Sequence, residues 1–304
     1  MRIFIFKILS FSLLLAGLVV AGLFLPDTPR VKDSLLGAKA FKDSLLANTP
    51  SPRIVFIGGS NLSFGLNSGI IKDSLGLNPV NTAICAGYGM KYMLDNSLQY
   101  IKANDIVVAS FEYFHFYGDY CYGRNELLVA VAGDGLRGFK ELSFQQYKNI
   151  IKYVPKYALS KFNPMEYWAY NIKDVYSEKS FNEYGDAYLH WNKKKERYIP
   201  VSTIDSKFNP MAIRCLNDYR DKLKKKNVRL FVTFPSLQRT ALLKNKSAIE
   251  KVERELKKIN FELLGTPLRY SFADSLYFNS EYHLLKKAVD IRTEFLIEDL
   301  KNKL

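Results

Sequence analysis

Three residues in this chain stand where an acyl-transfer site needs them: Ser60, Gly87 and His283. Ser60 closes the stretch RIVFIGGS, in which the apolar run Ile54 to Ile57 ends in Gly58 and Gly59. Gly87 lies in AICAGYGM, after a second apolar run, and offers a backbone N–H with no side chain in the way. His283 lies near the C-terminus in NSEYHLLKKAVDIRT, at the entrance of a helical pattern. A serine hydroxyl is a weak nucleophile until an imidazole within about 2.6–3.2 Å takes its proton. Fixed backbone donors then stabilise the oxyanion, and losing one costs about 3–4 kcal/mol. Each residue also has a plainer reading: Ser60 as a helix N-cap, Gly87 as turn geometry, and His283 as a helix-start residue holding the preceding loop. GGSN is not the nucleophile elbow G-x-S-x-G, because Leu62 replaces its last glycine. It is not a P-loop either, since no G-K-[ST] follows.

The elements that must position these residues alternate. Strands are predicted at Arg53–Ile57, Val80–Ile84, Asp105–Ser110, Val228–Phe234 and Phe261–Gly265. Helices are predicted near Gly69–Leu75, Lys91–Ile101, Met211–Lys225, Ala241–Ile259 and Leu284–Leu304. Short, uniformly apolar strands alternating with helices imply a parallel sheet covered on both faces. The predicted class is therefore α/β, a three-layer sandwich around a mainly parallel five-stranded sheet. An aromatic-rich insertion at about 114–206 separates strands three and four, mainly helical from Ser143 to Val175. In such sheets ligands bind outside the carboxyl ends of the strands. Glu112 and His115, in SFEYFHF after the third strand, reach the same edge and read as structural. The stretch FNEYGDAYLHW, with Asn182, Asp186 and His190, reads as a packed loop, a sugar-lining role being its alternative.

In their order along the chain, Ser60, Gly87 and His283 resemble the SGNH (GDSL-type) hydrolase superfamily. The setting of Tyr282, His283, Leu284, Arg292 and Thr293 is similar to a membrane-anchored, SGNH-like bacterial branch. Some members of that wider group work with membrane-bound O-acyltransferases that acylate exported polysaccharides. The resemblance spans Arg53 to Leu304, with the insertion unmatched. It implies a flavodoxin-like fold, Ser60 as nucleophile, His283 as general base, and an oxyanion hole from the N–H groups of Ser60 and Gly87. Three departures accompany it. The GDS motif reads Gly58-Gly59-Ser60. The asparagine after the third strand is missing; Glu112 and Tyr113 occupy that neighbourhood and Asn61 is the candidate donor in its stead. The acid usually three residues before the histidine falls on Ser280, and Asn279, one residue earlier, is not acidic either. Asn279, Glu281, Glu112 and Asp274 are the polar groups that would have to stand in. Two functions follow: a Ser-His esterase or O-acyltransferase working on an exported glycan, or an inactive SGNH-like glycan-binding or scaffold protein beside a membrane O-acyltransferase.

Ile8 to Leu25 carry no charge, about the minimum for a bilayer-spanning helix. Residues 1–26 are therefore predicted to be an N-terminal membrane anchor, or else a cleaved signal, with the body periplasmic or extracellular. Arg30, Lys32, Lys39 and Lys42 beyond the span outnumber Arg2 and Lys7 before it, and read literally the positive-inside rule opposes that orientation. The short leader-like tail favours it. Residues 27–50 are predicted to be one amphipathic helical linker, and 51–304 the SGNH-like domain. A net charge of +14 attracts something anionic, whether nucleic acid, a phospholipid surface or an acidic polymer, and an acylated or anionic polysaccharide suits an exported protein. No zinc-finger, recognition-helix or RNP pattern accompanies the charge, so no nucleic-acid partner is expected. The 20 Tyr and 21 Phe suit a large core and carbohydrate contact equally. No cofactor or metal is expected: Cys85, Cys121 and Cys215 lack ligand spacing, and leave open one disulfide of undetermined pairing.

Overall fold

The structure, a computed structural model, describes residues 1–304. Strands β1 (Arg53–Gly58), β2 (Asn78–Asn81), β3 (Ile106–Ser110), β4 (Arg229–Thr233) and β6 (Glu262–Leu264) form one parallel sheet in the order β2-β1-β3-β4-β6. Two short strands, β5 (Leu237–Gln238) and β7 (Ser271–Phe272), form a separate parallel pair. Successive strand side chains point to opposite faces, and both faces here are dry. Val55, Ile57, Val107, Ala109, Leu230 and Val232 enter one core with the helices Met90–Leu98, Pro210–Lys224 and Lys246–Lys258. Ile54, Phe56, Val108 and Phe231 enter another, beneath the helices Ser68–Leu75 and Lys286–Lys301. The result is the predicted three-layer α/β sandwich. Its continuous apolar strands need no polar face because no face meets water.

Counting only its own strands, the sheet runs 2-1-3-4-5, the flavodoxin-like order, whose switch point lies between β1 and β3. The two ends of that crevice differ. At the amino end, fully buried Arg53 meets Asp105 through Nε to Oδ1 at 2.9 Å and Nη2 to Oδ2 at 2.5 Å. At the carboxyl end, where β1 delivers Ser60 and β3 delivers Glu112, a buried carboxylate oxygen has no hydrogen-bond partner.

Several elements differ from expectation for local reasons. The linker is not one helix: Pro29–Asp33 ends at extended Ser34, whose Oγ caps Leu36 N, and a 3-10 turn leads into Lys39–Asn48. A Cβ on Gly37 would overlap the Lys32 carbonyl at that bend. The predicted helix Ala241–Ile259 splits at Asn245, whose side chain bonds Ile204 N and Ser202 O. The last helix starts at Lys286 rather than Leu284, because Leu284 bridges Tyr277 and donates to Phe64 O. No strand of the main sheet lies between Ser110 and Arg229. That interval holds helices at Asn125–Gly133 and Gly135–Lys140, which the sequence did not suggest. From Ser160 to Val175, where helix was predicted to continue, it holds only short 3-10 turns. All three cysteines are free thiols.

The N-terminal helix Arg2–Phe24 is long and apolar enough to cross a membrane. At 1.5 Å per residue it is about 35 Å long. Almost all of it is exposed; Gly22, in its last turn, is buried against Ala158 of the helix Val154–Ser160.

Candidate functional site

Ser60 is the first residue of a four-residue helical turn, and Gly59 is its N-cap. The serine side chain makes no capping bond, so helix capping does not account for it. Its half-buried hydroxyl instead donates to Glu112 Oε1 at 3.4 Å. The same oxygen accepts from Asn61 N at 2.9 Å. Gly59 is required by this approach, because a Cβ there would run into the Glu112 carboxylate. Asn61 turns inward. Its Nδ2 donates to Ser110 O at 3.1 Å, while its Oδ1 accepts from Ser110 Oγ at 3.1 Å and from Arg292 Nη2 at 2.9 Å. The fully buried Asn61 amide is thus engaged in the interior, and not turned to a substrate oxygen.

Arg292, 1% exposed on the C-terminal helix, also donates to the carbonyls of Asn61 and Gly65. Burial pushes its guanidinium down to about 10. The buried Arg292 guanidinium and the buried Glu112 carboxylate therefore both bond to the segment that carries Ser60. In the sequence Arg292 stands out only through the family resemblance. The available signal was its place on the apolar stripe of Val289, Thr293, Leu296 and Leu300, where a charged residue needs a buried partner.

Gly87 lies in the 3-10 turn Ala86–Tyr88 after β2. His115 Nε2 donates to Ala86 O at 3.0 Å, which ties this turn to the end of β3. His115 Nδ1 lies 3.5 Å from Glu112 Oε2, the carboxylate oxygen without a hydrogen bond. Burial lowers the His115 pKa, against the pull of Glu112. The face of Gly87 that would carry a Cβ is filled by the carboxylate of Glu126, whose buried Oε2 is also without a partner. Cys85, beside them, is pushed above the usual thiol range by burial and then by Glu126, so it is no thiolate nucleophile.

His283 is buried, and its ring stacks on Phe64 at 4.2 Å between centroids and 14° between planes. Phe64 follows Ser60 by one helical turn, so the imidazole rests on the segment that carries the serine. His283 Nδ1 donates to Asn279 Oδ1 at 2.9 Å, because the amide nitrogen of Asn279 is already committed to Tyr176 OH at 2.6 Å. That bond fixes the tautomer: Nδ1 holds the proton and Nε2 the lone pair a general base needs. Asn279 thus occupies the orienting place of a triad acid without its charge. Ser60 and His283 are not hydrogen-bonded to each other; the serine faces Glu112 and the imidazole faces Asn279.

Burial, and then the neighbouring His190, push His283 down to about 3, and burial pushes His190 down to about 4. His190 sits fully buried between Phe64 and Phe278. Both rings are neutral in the folded protein. Below the unfolded value of about 6.5 the unfolded chain binds protons that the folded chain refuses. The contribution of these two rings is therefore undiminished above about pH 6.5 and is lost as the pH drops towards about 4. The loss is about 3 kcal/mol from His190 alone, at 1.36 kcal/mol per unit. Urea midpoints measured across this range should fall with pH, and His190→Phe should flatten the slope.

The other candidates lie apart from the imidazole. Glu281 accepts from Ser202 N at 3.0 Å, and Asp274 accepts from Thr240 N and Oγ1. Glu281 also lines a cavity of about 130 Å3 with Phe114, Tyr120, Arg124 and Tyr282, to which neither Ser60 nor His283 contributes. The loop from Phe181 to Trp191 is packed. Asp186 is fully buried and bonds Ser68 N and Oγ and Asn81 Nδ2, and buried Lys42 donates to Asn81 O and Gly185 O. Burial brings Lys42 down to about 7, opposed by Asp186.

No protein-family model matches the chain, and neither does any curated protein. Among solved structures it is similar to an acetyl xylan esterase from the rumen bacterium Butyrivibrio proteoclasticus, at 16% identity and a TM-score of 0.27. The match covers 84% of this chain and 66% of that one, so the chain spans just under two thirds of the esterase's length. Likeness at this level bears on neither substrate nor mechanism.

Proposed function

We propose that this chain is an extracytoplasmic, membrane-anchored protein of the SGNH-like kind, acting on acyl esters of an exported glycan as an esterase or O-acyltransferase. Ser60 attacks the acyl carbonyl, His283 Nε2 takes the proton, and the N–H groups of Ser60 and Gly87 hold the oxyanion. Water or a sugar hydroxyl then accepts the acyl group, and a membrane-bound O-acyltransferase is the natural partner. The observation that carries this reading is His283, its Nδ1 tied to Asn279 and its ring stacked on Phe64, one turn beyond the uncapped Ser60 hydroxyl. Catalytic hydrogen bonds often tighten only when substrate binds, and Ser60 has one long bond to release before it turns to the imidazole.

The test is labelling of the intact protein by a fluorophosphonate, together with hydrolysis of small acyl esters. Protein that neither labels nor turns over sinks the proposal. Asn279→Asp supplies a charge to the imidazolium that forms, and Tyr176 OH can reverse its bond to donate to the new carboxylate. In a serine protease the opposite change costs about 10^4-fold. The variant should therefore gain about tenfold or more in kcat/KM, and the acidic limb of its pH profile should move upward.

A second reading, a non-catalytic glycan-binding or scaffold protein, is favoured by Glu112. Its buried carboxyl oxygen accepts from Ser60 Oγ and Asn61 N, and so sets an acceptor where an oxyanion needs donors. That reading predicts glycan binding that survives both Ser60→Ala and His283→Ala in a protein without turnover.

A further inference from the structure

Beyond Leu25 the chain exposes sixteen large apolar side chains, and nine of them fall between Leu136 and Trp168. Such a concentration is not the scatter that ordinary surfaces show. The most prominent are Leu136 (65% exposed), Phe144 (84%), Ile151 (62%), Met165 (56%) and Trp168 (83%). Interspersed are four exposed lysines, Lys140, Lys148, Lys152 and Lys156, none with an acidic partner. The acidic residues of the segment are neutralised: Glu141 by Arg137 at 3.4 Å and Glu166 by Arg30 at 3.1 Å.

The segment is fixed to the end of the membrane-spanning helix. A Cβ on Gly22 would overlap the Ala158 carbonyl, so the two helices touch backbone to backbone at the last turn of the span. Phe24 meets Phe139 edge-on at 6.2 Å. Just beyond, Asp27 accepts from Lys161 at 2.6 Å and from Tyr157 OH at 2.7 Å, with Lys161 fully buried. These contacts hold residues 136–168 at the level where the helix leaves the hydrocarbon. Tryptophan and tyrosine favour that depth, and unpaired lysines near the surface attract anionic lipid headgroups. A protein partner would not require this continuity with the span.

We propose that residues 136–168 form a second membrane contact, an amphipathic surface lying in the headgroup region of a bilayer rich in anionic phospholipid. It would press the body against the membrane beside its anchor rather than leave it on a free tether. The proposal rests on the anchor reading. It is tested on the full chain carrying Trp191→Phe, which leaves Trp168 as the one tryptophan. The protein is reconstituted in vesicles of phosphatidylcholine, with or without phosphatidylglycerol, and with lipids brominated near the headgroup. Flotation reports the anchor, and quenching of Trp168 reports the surface. We expect flotation in both lipids and loss of most Trp168 emission to brominated lipid, more completely with phosphatidylglycerol. Flotation with Trp168 open to aqueous iodide and unquenched by lipid would overturn the surface and leave the anchor standing. Failure to float would overturn both. Replacing exposed Phe144, Ile151 and Phe162 by serine should keep flotation and abolish lipid quenching; quenching that persists unchanged would also overturn the proposal.

Discussion

Ser60→Ala is expected to abolish fluorophosphonate labelling and to lower kcat/KM on small acyl esters at least about a thousandfold, the scale on which serine enzymes depend on their nucleophile. The substitution is clean for a structural reason. The hydroxyl caps no helix, because Gly59 holds the N-cap position. Its single hydrogen bond, to Glu112 at 3.4 Å, is at the long limit of such bonds and leaves Glu112 Oε1 still bonded to Asn61 N. Alanine also suits the first turn of a helix. Loss of the hydroxyl should therefore cost less than about 1 kcal/mol of stability. Turnover and thermal unfolding, measured on one preparation, separate the two roles. An unchanged Tm with abolished turnover is the expected pair; turnover equal to the parent's would end the catalytic reading of Ser60.

The fold was legible because its signal is redundant. Ile54 to Ile57 and Ile106 to Ala109 are apolar at every position, which only a strand buried on both faces requires. The order of Ser60, Gly87 and His283 along the alternating pattern brought each to a loop around one sheet. What sequence could not convey is direction. Asn61 stood beside the serine and read as a spare donor, yet in the structure it faces Ser110 and Arg292. Asn279 was legible as a neighbour of the missing acid's place, but its bond to Nδ1 depends on Tyr176, about a hundred residues away and within the insertion. His190 beneath Phe64 was hidden for the same reason: aromatic loops have no periodicity that names their neighbours. The break in the linker turned on Ser34: the word KDSLL occurs at Lys32–Leu36 and again at Lys42–Leu46, and only the cap of Ser34 on Leu36 distinguishes the first from the second.

Arg292→Ala should cost about 3–5 kcal/mol, the range for removing one member of a buried charged network. Four acceptors converge on this guanidinium: Asn61 O, Asn61 Oδ1, Gly65 O and, at 3.5 Å, Ser110 Oγ. No water reaches a residue 1% exposed, so each oxygen left behind keeps its desolvation cost without its bond. A cavity the size of the side chain adds to the loss. The buried Glu112 carboxylate also loses a nearby buried cation. Arg292→Lys should not restore stability, because an ammonium cannot span acceptors on Asn61, Gly65 and Ser110 in the fixed plane that guanidinium offers. Urea unfolding should show a lower midpoint with an unchanged slope, which marks a change in stability and not in the extent of structure. Because these bonds hold Asn61 and Gly65 on either side of Phe64, the conservative variant should also loosen the aromatic stack beneath His283. The readout is ester turnover in folded Arg292→Lys protein, which should fall by more than the unfolded fraction explains. Stability within about 1 kcal/mol of the parent would mean that the turn carrying Ser60 is held by Glu112 alone.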